Sequence, residues 1–206
     1  MCMEKTPWEK VIEFHGHTCP GVTYGYRAAL EALARMEINP AEDEELVTIV
    51  ETDNCGVDAI QVLTGCTFGK GNLIFRDYGK NVFTFLVRGK DEGLRFSLKY
   101  GISEKVAPGG WKELKQKFSS GAEISEQERA ELKKYHEEFT NKLLEIPVEE
   151  LYEIKKVKVD VPKKAKLFNS VQCGFCGEGI MEPRARVKES QFACPDCFDE
   201  YRSQVK

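Results

Sequence analysis

A chain of 206 residues with 41% hydrophobic and 31% charged side chains has room for one sizeable domain and a small second one. Its net formal charge of −4 counts against a dedicated nucleic-acid binder, whose affinity comes from lysine and arginine meeting phosphates. No apolar run reaches the ~20 residues of a membrane span, and Met1 to Pro7 lack the pattern of a secretory signal; a cytoplasmic protein without a membrane partner is expected.

Thr6-Pro7 is a helix start, a capping hydroxyl followed by proline at the first helical position. The helix runs through Trp8, Val11, Ile12 and Phe14 and stops at the turn Gly16 to Gly21. A longer helix follows from Tyr24 to Met36, with Asn39-Pro40 ending it. Residues 46–51, Leu-Val-Thr-Ile-Val-Glu, form a β-branched run expected to be a buried strand. The turn Asp53 to Gly56 leads into a helix over Val57 to Leu63, and Gly65 to Asn72 is a glycine-spaced loop. Strands are expected at 73–76, 82–88 and 94–98.

A short amphipathic helix is predicted over 110–118. Ser125-Glu126-Gln127-Glu128 matches a capping box, and the helix behind it carries Leu132, Tyr135, Phe139, Leu143 and Ile146 on one stripe until Pro147. His136 lies beside that stripe and reads as a partly exposed helix residue with no function. Residues 152–161 alternate like a strand. Lys155, Lys156, Lys158, Lys163, Lys164 and Lys166 make this stretch basic, and we read it as an edge strand guarded by lysines and then a linker, in preference to a phosphate-binding strip.

Of eight cysteines, Cys2 reads as incidental and four form the pattern Cys173-x-x-Cys176, seventeen residues, Cys194-x-x-Cys197. Two residues between ligands let one tight turn aim both sulfurs at a common point, and Gly174 and Gly177 supply conformational freedom. This predicts one structural zinc per chain in a finger over residues 171–206, with a short helix after Cys197 in the treble-clef layout. So small a segment takes much of its folding energy from the metal. Five basic side chains against six acidic ones give the finger no phosphate-binding face; docking on its own core or on a partner is the more economical role.

Near the other end, His15-Gly16-His17-Thr18-Cys19-Pro20-Gly21 places two of the chain's three histidines beside a thiol, just ahead of a helix. The helix dipole favours thiolate at Cys19, and His17 and Cys19 are spaced to reach one soft or borderline metal. Cys55 precedes the next helix, and Cys66 sits in the loop beyond it.

These segments, with Cys55-Gly56-Val57-Asp58-Ala59-Ile60-Gln61 and Thr64-Gly65-Cys66-Thr67-Phe68-Gly69-Lys70-Gly71-Asn72-Leu73, resemble the formylmethanofuran dehydrogenase FmdE family over residues 10–160. The resemblance departs from commoner members at Thr18 and Gly56. It implies an α+β fold: a core domain (1–162) with a mixed β-sheet flanked by helices, a linker (163–170), and the treble-clef or zinc-ribbon appendage. It also implies a homodimer and a cleft lined by His15, His17, Cys19, Cys55 and Cys66, with Asp58, Gln61, Thr67 and Lys70 as neighbours.

In such proteins the dehydrogenase chemistry belongs to a molybdenum or tungsten pterin on other subunits, and this chain has no Fe–S run. The reading is therefore a metal-binding accessory protein whose core takes a second metal or metal cofactor through His17, Cys19 and Cys55, leaving one coordination position open. Its expected partners are a second copy and other dehydrogenase subunits. The alternatives are Cys19 as a thiolate nucleophile with His15 or His17 as base, an independent metal-dependent enzyme with Asp58 as acid/base, and a zinc-finger adaptor.

Overall fold

The computed structural model describes residues 4–198, and the chain divides into two compact units at Lys164/Ala165. The first unit is a mixed sheet with its helices. In chain order it contains α1 (Pro7–His15), α2 (Pro20–Met36), β1 (Leu46–Val50), α3 (Gly56–Thr64), β2 (Leu73–Phe75), β3 (Val82–Val87) and β4 (Gly93–Leu98). Then come α4 (Ile102–Val106), α5 (Trp111–Ser119), α6 (Glu126–Glu145), α7 (Val148–Leu151) and β5 (Tyr152–Val157). Strand order is β2-β1-β3-β4-β5; β1 and β2 are parallel and the other neighbours antiparallel.

The helix ends follow from local chemistry. Thr6 caps α1 and Ser125 caps α6, each in a capping box with the glutamate three residues on. Cys19 caps α2, its sulfur accepting the Val22 N–H at 3.4 Å, ahead of Pro20 in the first turn. Helix α2 stops at Glu37, in the left-handed region, before the expected Asn39-Pro40 is reached. The short helices α4 and α7 have too few residues to show a period, and the sequence reading did not separate them.

β1 is buried along its whole length because both sheet faces are covered. Leu46 and Val50 join the main core with Val22, Ala28, Ile60, Phe83, Phe85, Phe96 and Leu143. Val47 and Ile49 face the other way and pack with Leu86, Ile74, Val159 and Val161. Residues 158–161 are thus not a continuation of the strand. They form a strap, held where Arg88 donates to the carbonyl oxygens of Glu44 and Pro162. β5 is the sheet edge as read, and Lys155 and Lys156 there pair with Glu153 and Glu92, while Lys164 beyond the strap pairs with Asp43.

On the helix side, Arg27 donates to the carbonyls of Leu143 and Leu144, both at 2.6 Å, satisfying the C-terminal end of α6 from α2. The buried Tyr152 hydroxyl donates to Tyr24 O at 2.8 Å. Aromatic rings run edge to face from Phe85 through Phe96 to Tyr152. Among the described residues no helix is long and apolar enough to cross a membrane.

The second unit consists of two hairpins, β6 (Ser170–Gln172) with β7 (Gly179–Met181), and β8 (Arg186–Lys188) with β9 (Gln191–Ala193). A cysteine knuckle follows β6 and another follows β9, and the Gly174 N–H donates to Phe192 O across the two. Gly177 adopts a positive φ of 78°; Gly174 does not, and instead leaves room for the Gln191 side chain. Most of the helix expected after Cys197 lies outside the described residues.

Candidate metal centres

In the second unit, one ligand atom from each of Cys173, Cys176, Cys194 and Cys197 lies within 4.8 Å of every other. Backbone N–H groups of Cys176, Cys194 and Phe175 hold the Cys173 thiol down at about 6, which favours the thiolate a metal needs. Crowding by Cys194 and the other sulfurs pushes Cys197 up to about 12, a repulsion that a cation at the centre removes. Among the described residues, the buried apolar interior of this unit is little more than the ligands themselves: Cys173, Ala193 and Cys194. The group is built to hold one metal ion.

The core cluster forms where α1 ends and α2 begins. Gly16 takes φ 88° and closes α1 by donating its N–H to Ile12 O at 2.8 Å. This left-handed turn reverses the chain at little steric cost, so His15 and His17 come side by side with ring centroids 4.5 Å apart. One ligand atom each from His15, His17 and Cys19 lies within 4.8 Å of the others. His15 is mostly buried and donates Nδ1–H to Asp58 Oδ2 at 2.7 Å; its Nε2 faces the Cys19 sulfur at 3.7 Å. A carboxylate that fixes the far side of a histidine is the usual support of a metal-binding imidazole. Asp58 comes from the first turn of α3, and it reaches α1 because the two helices pack together.

Cys55 precedes α3 and lies beside Cys19: a side-chain carbon placed on Gly21 would touch both sulfurs at 3.6 Å. It adjoins the three-residue set without being part of it. Burial pushes the Cys19 thiol up, the Val22 N–H draws it down, and Cys55 adds to the rise. Such a buried thiol gives up its proton more readily to a metal than to water.

The other expected neighbours are not brought to this place. Cys66 follows the opposite end of α3, a helix about 13 Å long at 1.5 Å per residue. It is buried, with its S–H donating to Leu46 O. Thr67 accepts the Lys70 N–H, and Lys70 Nζ donates to Ala41 O at 3.0 Å. Asn72 braces the same loop from inside, its side chain bonded to Thr67, Asp43 and Leu46. Gln61 lies in α3, its carbonyl accepting the Gly65 N–H. Cys66, Thr67, Lys70 and Asn72 build the loop over 65–72, which Gln61 joins only through its carbonyl.

A cavity of about 710 Å³ opens against His17 and Thr18, walled by Trp8 and by the face of α6 that carries Leu132, Lys133, His136 and Thr140. His136 packs against Trp111 with ring centroids 4.6 Å apart and planes tilted by 56°, and burial, together with the His17 and Lys115 charges, lowers the pKa of its imidazole. The sequence reading gave it no role. Its position one residue off an apolar stripe is that of any boundary residue, and only tertiary packing brings it opposite His17.

A family model described as "FmdE, Molybdenum formylmethanofuran dehydrogenase operon" matches residues 14–153. The chain belongs to the FmdE family. Among solved structures, it is similar to an FmdE-like protein of the tungsten formylmethanofuran dehydrogenase type from Syntrophus aciditrophicus. That chain is 28% identical with a TM-score of 0.56, and the match covers 92% of this chain and 88% of the other. A probable S-adenosyl-L-methionine-binding protein of Archaeoglobus fulgidus is 36% identical over 198 residues. The match covers 94% of this chain but only 52% of that relative, so this FmdE-family chain spans about half its length. In family and geometry this is an α+β protein with two cysteine/histidine groups suited to metal.

Proposed function

We propose that the chain is a metal-binding accessory protein of the formylmethanofuran dehydrogenase type, with a structural zinc in its second unit and a second metal in its core. The observation that carries this reading is the relay from Asp58 through His15 to Cys19, with His17 alongside. His15, His17 and Cys19 supply one sulfur and two nitrogen donors, a set that suits zinc and other borderline divalent ions and leaves a coordination position open. Cys55 is placed to approach as a further ligand. The metal would supply Lewis acidity or a transferable ion; the protein's part is to hold the donors, orient His15 through Asp58 and partly bury Cys19. The assembly in view is a cytoplasmic homodimer working with pterin-carrying dehydrogenase subunits, in keeping with the family's name.

Elemental analysis of the purified chain tests the core site. About two metals per chain are expected, following the two donor groups, and Cys19→Ser should leave about one. A single metal in the wild-type chain, or a count that Cys19→Ser leaves unchanged, overturns it. Light scattering reads the oligomeric state. Co-purification from the native host reads the dehydrogenase partner.

One observation favours a second reading. Cys19, His15 and Asp58 stand in the order of nucleophile, base and orienting carboxylate, as a thiol enzyme needs. Against it, burial raises the Cys19 thiol, and His17 exceeds what a nucleophile–base pair requires. Iodoacetamide labelling of the metal-free protein at neutral pH separates the two. Labelling of Cys19 faster than free cysteine favours the enzyme, and slower labelling favours the ligand role. The S-adenosyl-L-methionine binding named for the archaeal relative belongs to a protein nearly twice as long as this chain.

A further inference from the structure

The cavity beside His17 has features that a metal site alone does not call for. Its apolar walls are Trp8, Phe118, Ile124 and Leu132. Trp8 is steadied edge to face by Tyr26 at 4.7 Å, and His136 by Trp111, so the walls are set in advance. The volume of about 710 Å³ falls in the range of small-molecule sites.

Polar groups make up the rest of the lining, and all but His17 and Thr18 come from α6. Arg129, Lys133, His136 and Thr140 recur at helical spacing along one face of α6. Arg129 and Lys133 make no ion pair among the described residues, and with Glu137 they leave the rim one positive charge in excess. Thr140, 2% exposed, keeps a hydroxyl with no hydrogen-bond partner in the folded chain.

We infer that this cavity binds a flat, apolar-bodied organic anion, its ring between Trp8 and Phe118 and its acid group at Arg129 and Lys133. The inference deepens the accessory-protein reading and rests on it for the ligand's role: His17 belongs to both the cavity wall and the metal-binding set, so a bound molecule adjoins the metal. Occupancy of the cavity is read independently of metal content. Carboxylates and phosphate esters share the recognition chemistry, and the test distinguishes them.

The full chain is titrated with 2-naphthoate, 2-naphthyl phosphate and the neutral 2-naphthalenemethanol, by calorimetry and by quenching of tryptophan fluorescence, with metal content measured on the same samples. One anion per chain is expected, with the alcohol about tenfold weaker, as for loss of one charge-assisted contact. The exposed double variant Arg129→Gln/Lys133→Gln should weaken both anions at least about tenfold and leave the alcohol and the metal count unchanged. Tighter binding of the phosphate assigns the ligand to phosphate esters, and tighter binding of naphthoate to carboxylates. No anion binding, equal binding of the alcohol, or indifference to the double variant overturns the inference. A metal count of one with anion binding intact removes the core metal and leaves the anion site standing.

Discussion

Gly25 of α2 packs directly on Gly56 of α3: a side-chain carbon on Gly25 would overlap the Gly56 carbonyl group. Gly56 is itself hemmed in by Gly21 O and the Phe83 ring, each 3.2 Å from where its side chain would begin. This close approach lets Cys55 stand beside Cys19 and lets Asp58 reach His15. Gly25→Ala must therefore push the helices apart. We expect a loss of about 1–3 kcal/mol in stability, as for other overpacked cores, and a metal count one lower than wild type. Chemical denaturation and elemental analysis check the two effects together.

Asp58→Asn keeps the shape of the carboxylate and removes its charge. The core metal should then bind about 10–100-fold more weakly, the usual loss when a supporting carboxylate is changed, while the four-cysteine site keeps its ion. Competition with a chelator of known affinity measures the difference. Equal loss at both sites would mean that Asp58 acts on the fold rather than on His15.

Stripping metal from the second unit should unfold that unit and spare the first. Among the described residues its buried apolar ones are only Cys173, Ala193 and Cys194, too few to hold two hairpins of three-residue strands together. On adding a strong chelator, the amide resonances of residues 170–198 are expected to collapse to random-coil positions, with those of β1 and β3 unmoved.

The capping box of α6 gives a pH-dependent prediction. Hydrogen bonds from Lys117 and the Ser125 N–H hold Glu128 down at about 2, well below the usual carboxylate value. Because the folded value is the lower one, this contribution is complete above the unfolded pKa of about 4.3 and is lost as pH falls toward 2. The melting-temperature gap between wild type and Glu128→Gln should be constant from pH 8 to about 5 and close below it. Ser125→Ala, which removes the cap itself, should cost about 1 kcal/mol at neutral pH.

Thr140→Val removes a buried hydroxyl that the folded chain leaves unpaired. The free protein should gain stability, by about 1 kcal/mol, because an unsatisfied group is exchanged for an apolar one of the same shape. Thermal unfolding without added ligand is the measurement.

The sequence carried whatever depends on neighbours along the chain. The caps at Thr6 and Ser125, the β-branched strand at 46–50 and the paired Cys-x-x-Cys knuckles each express their chemistry within a few residues, where helix geometry or glycine turns act. The His15–Cys19 cluster was legible for the same reason, since one left-handed glycine turn brings its donors together. Tertiary packing decided what spacing cannot carry: that Asp58 fixes His15 across 43 residues, that Cys66 ends up at the far end of α3 from Cys19, and that His136 faces His17 across a cavity. Contacts of that kind depend on how closely two helices approach, which here turns on the missing side chains of Gly25 and Gly56, and no local pattern records that distance.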